Sequence, residues 1–395
     1  MVRLLEKPEL YVTVSRDLSA ITEQTGNVSV ESLDRAIGRA TRLLRAGATV
    51  VIDEFQRLPE RFWQLLATAH PEGRLILIAS SLGVVERVFG SHSPLLGLVH
   101  PVRVGRLRAA DTVASLLPRS ASPRAAILWA VLLSEPWLCP YVSIPLRGEP
   151  WSFISTYGEG LAGVAHGLVG EVFTEEERSL TKLYRAVLSL LGRGVWRADE
   201  IAASLYRRGL TASPSPGSIT GILDKMARMG LVSRTPLWRT RRYRTYYRHE
   251  SPLLAVLYGL EARLGLGERP VPRGEAEAVA RELVSRELQF FLGELMAERH
   301  GGVQAYTVLP GGAGDINIVV LDSRARRALA AYEAKTGACT RRDASAARER
   351  AQAVGAGRAG LICLGGYEGL PPRGVEVLGP VEVARVAVGL VAGRL

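Results

Sequence analysis

Lysine, asparagine, cysteine and long apolar runs are all scarce in this 395-residue chain. The longest uninterrupted apolar stretch runs only from Ala125 to Leu133, whereas a bilayer-spanning helix takes about 20 residues. No membrane partner is therefore expected. The N-terminus, Met1-Val2-Arg3-Leu4-Leu5-Glu6-Lys7, carries neither a long apolar segment nor a small-residue cleavage site, which argues against secretion. Cys139, Cys339 and Cys363 show no metal-ligand spacing and suit a reducing cytoplasm. The lysines are Lys7, Lys182, Lys225 and Lys335, and none follows a glycine. The phosphate-cradling pattern G-x-x-x-x-G-K-[ST] is thus missing.

Arginine takes the place of lysine. The 50 basic residues outweigh 39 acidic ones, giving a net charge of +11. Such an excess favours a polyanionic partner, nucleic acid before membrane. Scarce Asn, Cys and Met fit a heat-adapted organism or a GC-rich genome equally well. Where Lys or Asn does occur, codon drift is a poor explanation for it.

The expected fold class is α/β and multidomain, in four segments. Residues 1–110 alternate helix and strand: an amphipathic helix over Val28–Leu44, an apolar strand Thr49–Ile52, and a second strand Leu75–Ala79. Apolar strands separated by helices predict a parallel sheet. Residues 111–173, broken by six prolines, read as a helical subdomain. Over 174–260, the capping pattern Thr174-x-x-Glu177 opens a helix, and helices over Ala198–Arg208 and from Ile219 to Gly230 follow. A polar hairpin from Leu231 to Tyr247 completes a winged helix-turn-helix. The segment 274–395 has a helix over Glu275–Arg299, then strands near Ala305–Leu309, Ile316–Leu321, Ala331–Glu333 and Leu361–Leu364. A helix over Asp343–Ala353 precedes the last strand.

Thr49-Val-Val-Ile-Asp53-Glu54 has the form of a Walker B strand, in which the Asp holds Mg²⁺ and the Glu polarises water. Ser80, at the tip of the next strand, stands where a γ-phosphate sensor would. The bland reading is a buried strand that happens to end in Asp-Glu. Asp53-Glu54-Phe55-Gln56, then Ala79-Ser80-Ser81-Leu82-Gly83-Val84-Val85-Glu86-Arg87, then Ser93-Pro94-Leu95-Leu96-Gly97 resemble the archaeal ATPase family. That resemblance covers nearly the whole chain in order. It implies a P-loop ATPase core of the AAA-related, STAND-like kind, a winged helix, and a C-terminal domain with a restriction-endonuclease-like look. Two departures stand out: the Walker A segment that precedes this region in the family is missing, and Leu98 replaces an Arg. Either the chain is N-terminally shortened or the domain has lost nucleotide chemistry. ATP is accordingly a doubtful ligand.

Between Ser233 and His249 stand Arg234, Arg239, Arg241, Arg242, Arg244 and Arg248, interleaved with Trp238, Tyr243, Tyr246 and Tyr247 and with no acid. Arginines grip phosphates and aromatics stack on sugars or bases, so DNA is the expected partner. Ser218, Thr220, Lys225 and Arg228 on the third helix would face a major groove. The alternatives are a charged, solvated strand edge and a winged helix that contacts only protein.

Gly314-Asp315-Ile316-Asn317-Ile318-Val319-Val320, followed by Ala331-Tyr332-Glu333-Ala334-Lys335, resembles the PD-(D/E)XK nuclease core. The resemblance implies Mg²⁺ held by Asp315 and Glu333, with Lys335 orienting water. Asn317 stands where the family has an acid, and as an amide it contributes no charge to a metal site. Glu294 or Glu287, one helical face apart by seven residues, would complete the ligand set. The bland reading of Glu-x-Lys is a surface pair. Two functions follow: a DNA-associated protein with metal-dependent phosphodiester cleavage, or a non-enzymatic DNA-binding or regulatory scaffold with both catalytic domains decayed.

Overall fold

The computed structural model describes residues 7–80, 82–176, 180–240, 244–267, 269–308 and 315–393, without the side chains of 71, 82, 171–176, 308 and 315–317. The chain is an α/β protein with two five-stranded mixed sheets and many helices. It forms two compact units, Met1–Val104 with Val169–Ser179, and Gly105–Leu168 with Leu180–Leu395. No helix among the described residues is long and apolar enough to cross a membrane.

The first unit runs β1 (Leu10–Val14), β2 (Ser19–Gln24), β3 (Asn27–Ser32), α1 (Leu33–Arg45), β4 (Thr49–Asp53), α2 (Arg61–Ala69), β5 (Arg74–Leu77) and α3 (Leu82–Val88). Its sheet order is β3-β2-β1-β4-β5, with β1, β4 and β5 parallel and β2–β3 an antiparallel hairpin. Val50, Val51 and Ile52 are fully buried, as a central parallel strand requires. The helix expected from Val28 instead starts at Leu33. Val28 and Val30 alternate with polar residues and pair with β2, while Ser32 Oγ accepts from Arg35 N to cap α1. Thr25 and Gly26, both at positive φ, form the two-residue turn that closes this hairpin. Once α1 begins, Leu33, Ala36, Ile37, Ala40 and Leu44 line one buried stripe.

The second unit holds α4 (Ala109–Leu116), α5 (Pro123–Leu133), the part of α6 (Pro150–Glu176) up to Leu168, α7 (Thr181–Gly192), α8 (Ala198–Arg207) and α9 (Gly217–Arg228). Strands β6 (Val232–Pro236) and β7 (Thr245–His249) then pair antiparallel, and α10 (Pro252–Leu264) and α11 (Arg273–Arg299) follow. Thr174 opens no helix. It lies inside α6, which runs to Glu176, and Glu177 lies outside the described residues. Helices α10 and α11 are buried on most sides and form the unit's interior.

The chain ends with β8 (Val303–Val308), β9 (Asp315–Leu321), β10 (Ala328–Lys335), α12 (Arg341–Ala353), β11 (Ala359–Cys363), β12 (Val375–Leu378) and α13 (Pro380–Val391). Sheet order is β12-β11-β10-β9-β8: an antiparallel meander β8-β9-β10, then β11 and β12 parallel to β10. Alternation along the strands assigns the two faces. Val319, Ala331, Leu361 and Cys363 meet Ala344, Ala347 and Ala351 of α12. Facing the other way, Tyr332 meets the end of α11, its hydroxyl 2.8 Å from His300 Nε2 and donating to Glu376 Oε2 at 3.0 Å. Gly360 is needed beneath that ring, because a Cβ there would lie 2.0 Å from Tyr332 Cδ1. Cys339 and Cys363, 24 residues apart and both fully buried, are joined as a disulfide. Their spacing gave no sign of this, since the strand order alone brings the two together.

Candidate functional site

Each strand end singled out in the sequence carries acidic groups held by neighbours from the chain itself. Asp53 lies at the C-terminal end of β4, beside β1. Tyr11 hydroxyl donates to its Oδ2 at 2.7 Å and the Glu54 backbone N–H to its Oδ1 at 2.9 Å. Glu54 adopts a left-handed conformation, φ 57°, that is costly for a residue with a Cβ. Its carboxylate accepts from Gln56 Nε2 at 2.9 Å and pairs with Arg57 at 2.8 Å. Gln56 Nε2 also donates to Ser80 Oγ at 2.7 Å. The structure therefore brings Asp53, Glu54 and Ser80 together at one sheet edge, linked by Gln56 and Tyr11, which the strand pattern did not single out as ligands.

At the second strand end, Glu333 and Lys335 share the α12 face of β10. Glu333 Oε1 pairs with Arg350 at 2.6 Å, and Lys335 Nζ donates to Asp343 Oδ1 at 2.5 Å. Asp343 also accepts from the Thr340 backbone N–H at 2.8 Å, capping α12. The hydrogen bond from Lys335, with those from Thr340, holds the Asp343 carboxyl down to about 2. The β9–β10 ladder pairs Ile318 with Tyr332; positions 315–317 lie beyond it, past the register shift in the β8–β9 pairing, so alternation along β9 does not carry through to them. The side chains of Asp315 and Asn317 lie outside the described residues.

Glu294 does not join this group. Helix α11 lies across the sheet from α12, and the Glu294 carboxylate pairs with Arg106 and, at 3.1 Å, with Arg248. Glu287 lies in the same network, 2% exposed, with Arg286 at 3.3 Å and Arg248 at 3.8 Å. Burial pushes its carboxyl above the usual carboxylate range. A spacing of seven residues, about two turns, placed both glutamates on one helix face, but that face meets the β6–β7 hairpin and not the Glu-x-Lys strand. Among the described residues, no three His, Cys, Asp or Glu side chains form a group that would hold a metal ion. Between β10 and α12, the Glu333 carboxylate is paired with Arg350 and the Asp343 carboxylate with Lys335.

The hairpin also departs from the free arginine-rich wing expected of it. Arg248 is 7% exposed, its guanidinium over the Phe290 ring at 4.6 Å and between Glu287 and Glu294. It is a core ion, not a phosphate contact. Tyr246 stacks on Trp196 at 4.9 Å and packs against Phe290 and Tyr306. Trp238 Nε1 donates to the Val354 carbonyl at 3.0 Å, and its backbone N–H to the Tyr306 carbonyl at 2.8 Å. Arg239 remains exposed while donating to the Ala353 carbonyl at 3.3 Å. Arg234 pairs with Asp224 at 2.5 Å. Arg244 is exposed, as are Thr220 and Arg228 on α9, and Lys225 is half-buried there. Arg241, Arg242 and Tyr243 lie outside the described residues. Positions 244 and 248 share one strand parity, so alternation does not separate buried Arg248 from exposed Arg244; the partner acids Glu287 and Glu294 on α11 do.

Compared with family models, curated proteins and solved structures, the chain matches none of them.

Proposed function

We propose that this chain is a non-enzymatic DNA-binding protein, in which a winged-helix segment contacts the duplex and a nuclease-type α/β domain serves as a scaffold. The observation that carries the binding half is the order α7-α8-α9-β6-β7 with Thr220 and Arg228 exposed on α9. A third helix presented in this way is what a major groove admits. The net charge of +11 supports the same partner. The scaffold half rests on the ion pairs Glu333–Arg350 and Lys335–Asp343, which occupy the groups that cleavage would need free. At the other strand end, Asp53 and Glu54 are likewise held by Tyr11, Gln56 and Arg57.

A second reading, metal-dependent phosphodiester cleavage, is favoured by one observation. The sheet order β12-β11-β10-β9-β8, with α12 crossing between the parallel strands β10 and β11, is of the kind that the PD-(D/E)XK resemblance implies. Supercoiled plasmid incubated with the full chain and Mg²⁺ or Mn²⁺ separates the two readings. Retardation without nicking is expected. Nicking that disappears in Lys335→Ala would replace the scaffold with a nuclease.

A further inference from the structure

The structure assigns a second phosphate-binding surface to the end of the C-terminal sheet remote from Lys335, built by the β9–β10 turn and the α12–β11 loop with Arg239 of the hairpin beside them. The turn reads Asp322-Ser323-Arg324-Ala325-Arg326-Arg327, and its three arginines are exposed. It is held rigid by its single acid. Asp322 Oδ1 accepts the backbone N–H groups of Arg326 at 2.7 Å and Arg327 at 3.3 Å, while Asp322 N donates to the Arg327 carbonyl at 2.9 Å. These backbone donors, Arg326 first, together with the nearby charges of Arg327 and Arg324, keep the Asp322 carboxyl below its ordinary range, while its Oδ1 hydrogen bonds brace the turn.

The α12–β11 loop lies directly alongside. Gly357 N donates to the Ala328 carbonyl at 3.2 Å, and Ala331 N donates to the Arg358 carbonyl at 2.9 Å, which sets exposed Arg358 next to the turn. Arg239 reaches the same loop through the Ala353 carbonyl and lies against Gly355. Three segments far apart in sequence thus deliver Arg324, Arg326, Arg327, Arg358 and Arg239 to one end of the sheet. Among the described residues, none of these five guanidiniums forms an ion pair with a carboxylate. Arg234, Arg248, Arg299 and Arg350, in the same unit, each have one. A row of exposed guanidiniums without a direct ion-pair partner, on a braced turn, suits the phosphates of a nucleic-acid backbone, which they contact without reading bases. Duplex DNA is the partner, held at this end as well as at α9.

This inference rests on the DNA-binding reading above but is tested separately from it. The full chain, the triple variant Arg324→Ala/Arg326→Ala/Arg327→Ala and a charge-matched control, Arg35→Ala/Arg42→Ala/Arg45→Ala in exposed positions of α1 and its unit, are titrated with a labelled duplex across a salt series. Losing three phosphate contacts lowers the log–log salt slope by about 0.9 for each contact. The expected result is a decrease of about 2 to 3 in slope for the turn variant and an unchanged slope for the control. Equal decreases in both would mean general charge attraction, and an unchanged slope in the turn variant would place no phosphate there. Either outcome overturns this surface, while a slope lowered in Lys225→Ala/Arg228→Ala leaves the α9 reading standing. A melting temperature unchanged in the turn variant excludes unfolding as the cause.

Discussion

Arg248→Ala is expected to destabilise the second unit by about 3–5 kcal/mol, as breaking a buried ion pair from one side does. The guanidinium is 7% exposed, and its loss leaves Glu287, 2% exposed, with Arg286 alone. Glu294 keeps Arg106. Arg244→Ala, four residues away but exposed, is expected to change stability by no more than about 0.5 kcal/mol. Adding Glu287→Gln to Arg248→Ala removes the uncompensated charge and is expected to recover part of the loss. Urea unfolding of the three variants checks this. A cost below about 1 kcal/mol for Arg248→Ala, combined with weakened DNA binding, would return Arg248 to the nucleic-acid surface.

The second large effect concerns pH. His249 is fully buried, with Nε2 3.0 Å from the Leu188 carbonyl. Burial first, and then the charges of Arg286 and Arg248, push its imidazole down to about 3. In the unfolded chain the same group titrates near 6.5. Between these values the unfolded state binds a proton that the folded state refuses. The stability conferred by the neutral imidazole is therefore fully present above about pH 6.5 and is lost as pH falls, by about 1.4 kcal/mol per unit. In His249→Gln the proton-binding site is gone. The stability difference between the two proteins is expected to shift by about 2 kcal/mol in favour of the variant between pH 7 and pH 5. Glu287 titrates in both proteins and largely cancels in that difference. Parallel stability profiles over this range would mean that His249 is solvated.

Both predictions concern residues whose partners are remote in sequence, and the same limit runs through the candidate sites. Strand β4 was legible because Val50-Val51-Ile52 is an unbroken apolar run. The meander β8-β9-β10 and helix α12 were legible from alternation and helical spacing, within a few residues at their ends. Strand β3 was not, because Val28 and Val30 also fit a helical stripe that continues into α1, and only pairing with β2 decides between them. The acids at Asp53, Glu54 and Glu333 were correctly placed on strand ends. What occupies them was not readable, since Tyr11 and Arg350 reach them through the sheet order and the α12 crossover. Glu294 was assigned to the wrong side of the sheet because helical period tells which residues share a face but not what that face meets. The arginines of the β9–β10 turn did leave a signal. Arg324-Ala-Arg326-Arg327 has no acid after Asp322, and the Asp-initiated turn marks it as exposed.

The most direct measurement of the central claim is the affinity of the full chain for a labelled duplex between about 50 and 200 mM salt. With Arg228, Lys225, Arg244 and Arg239 among the phosphate contacts, the log–log slope is expected to be about −3.6 or steeper, a loss of about 100-fold or more across that range. Absence of binding at the lowest salt, or an affinity that stays constant as salt rises, would contradict a DNA-binding role for this protein.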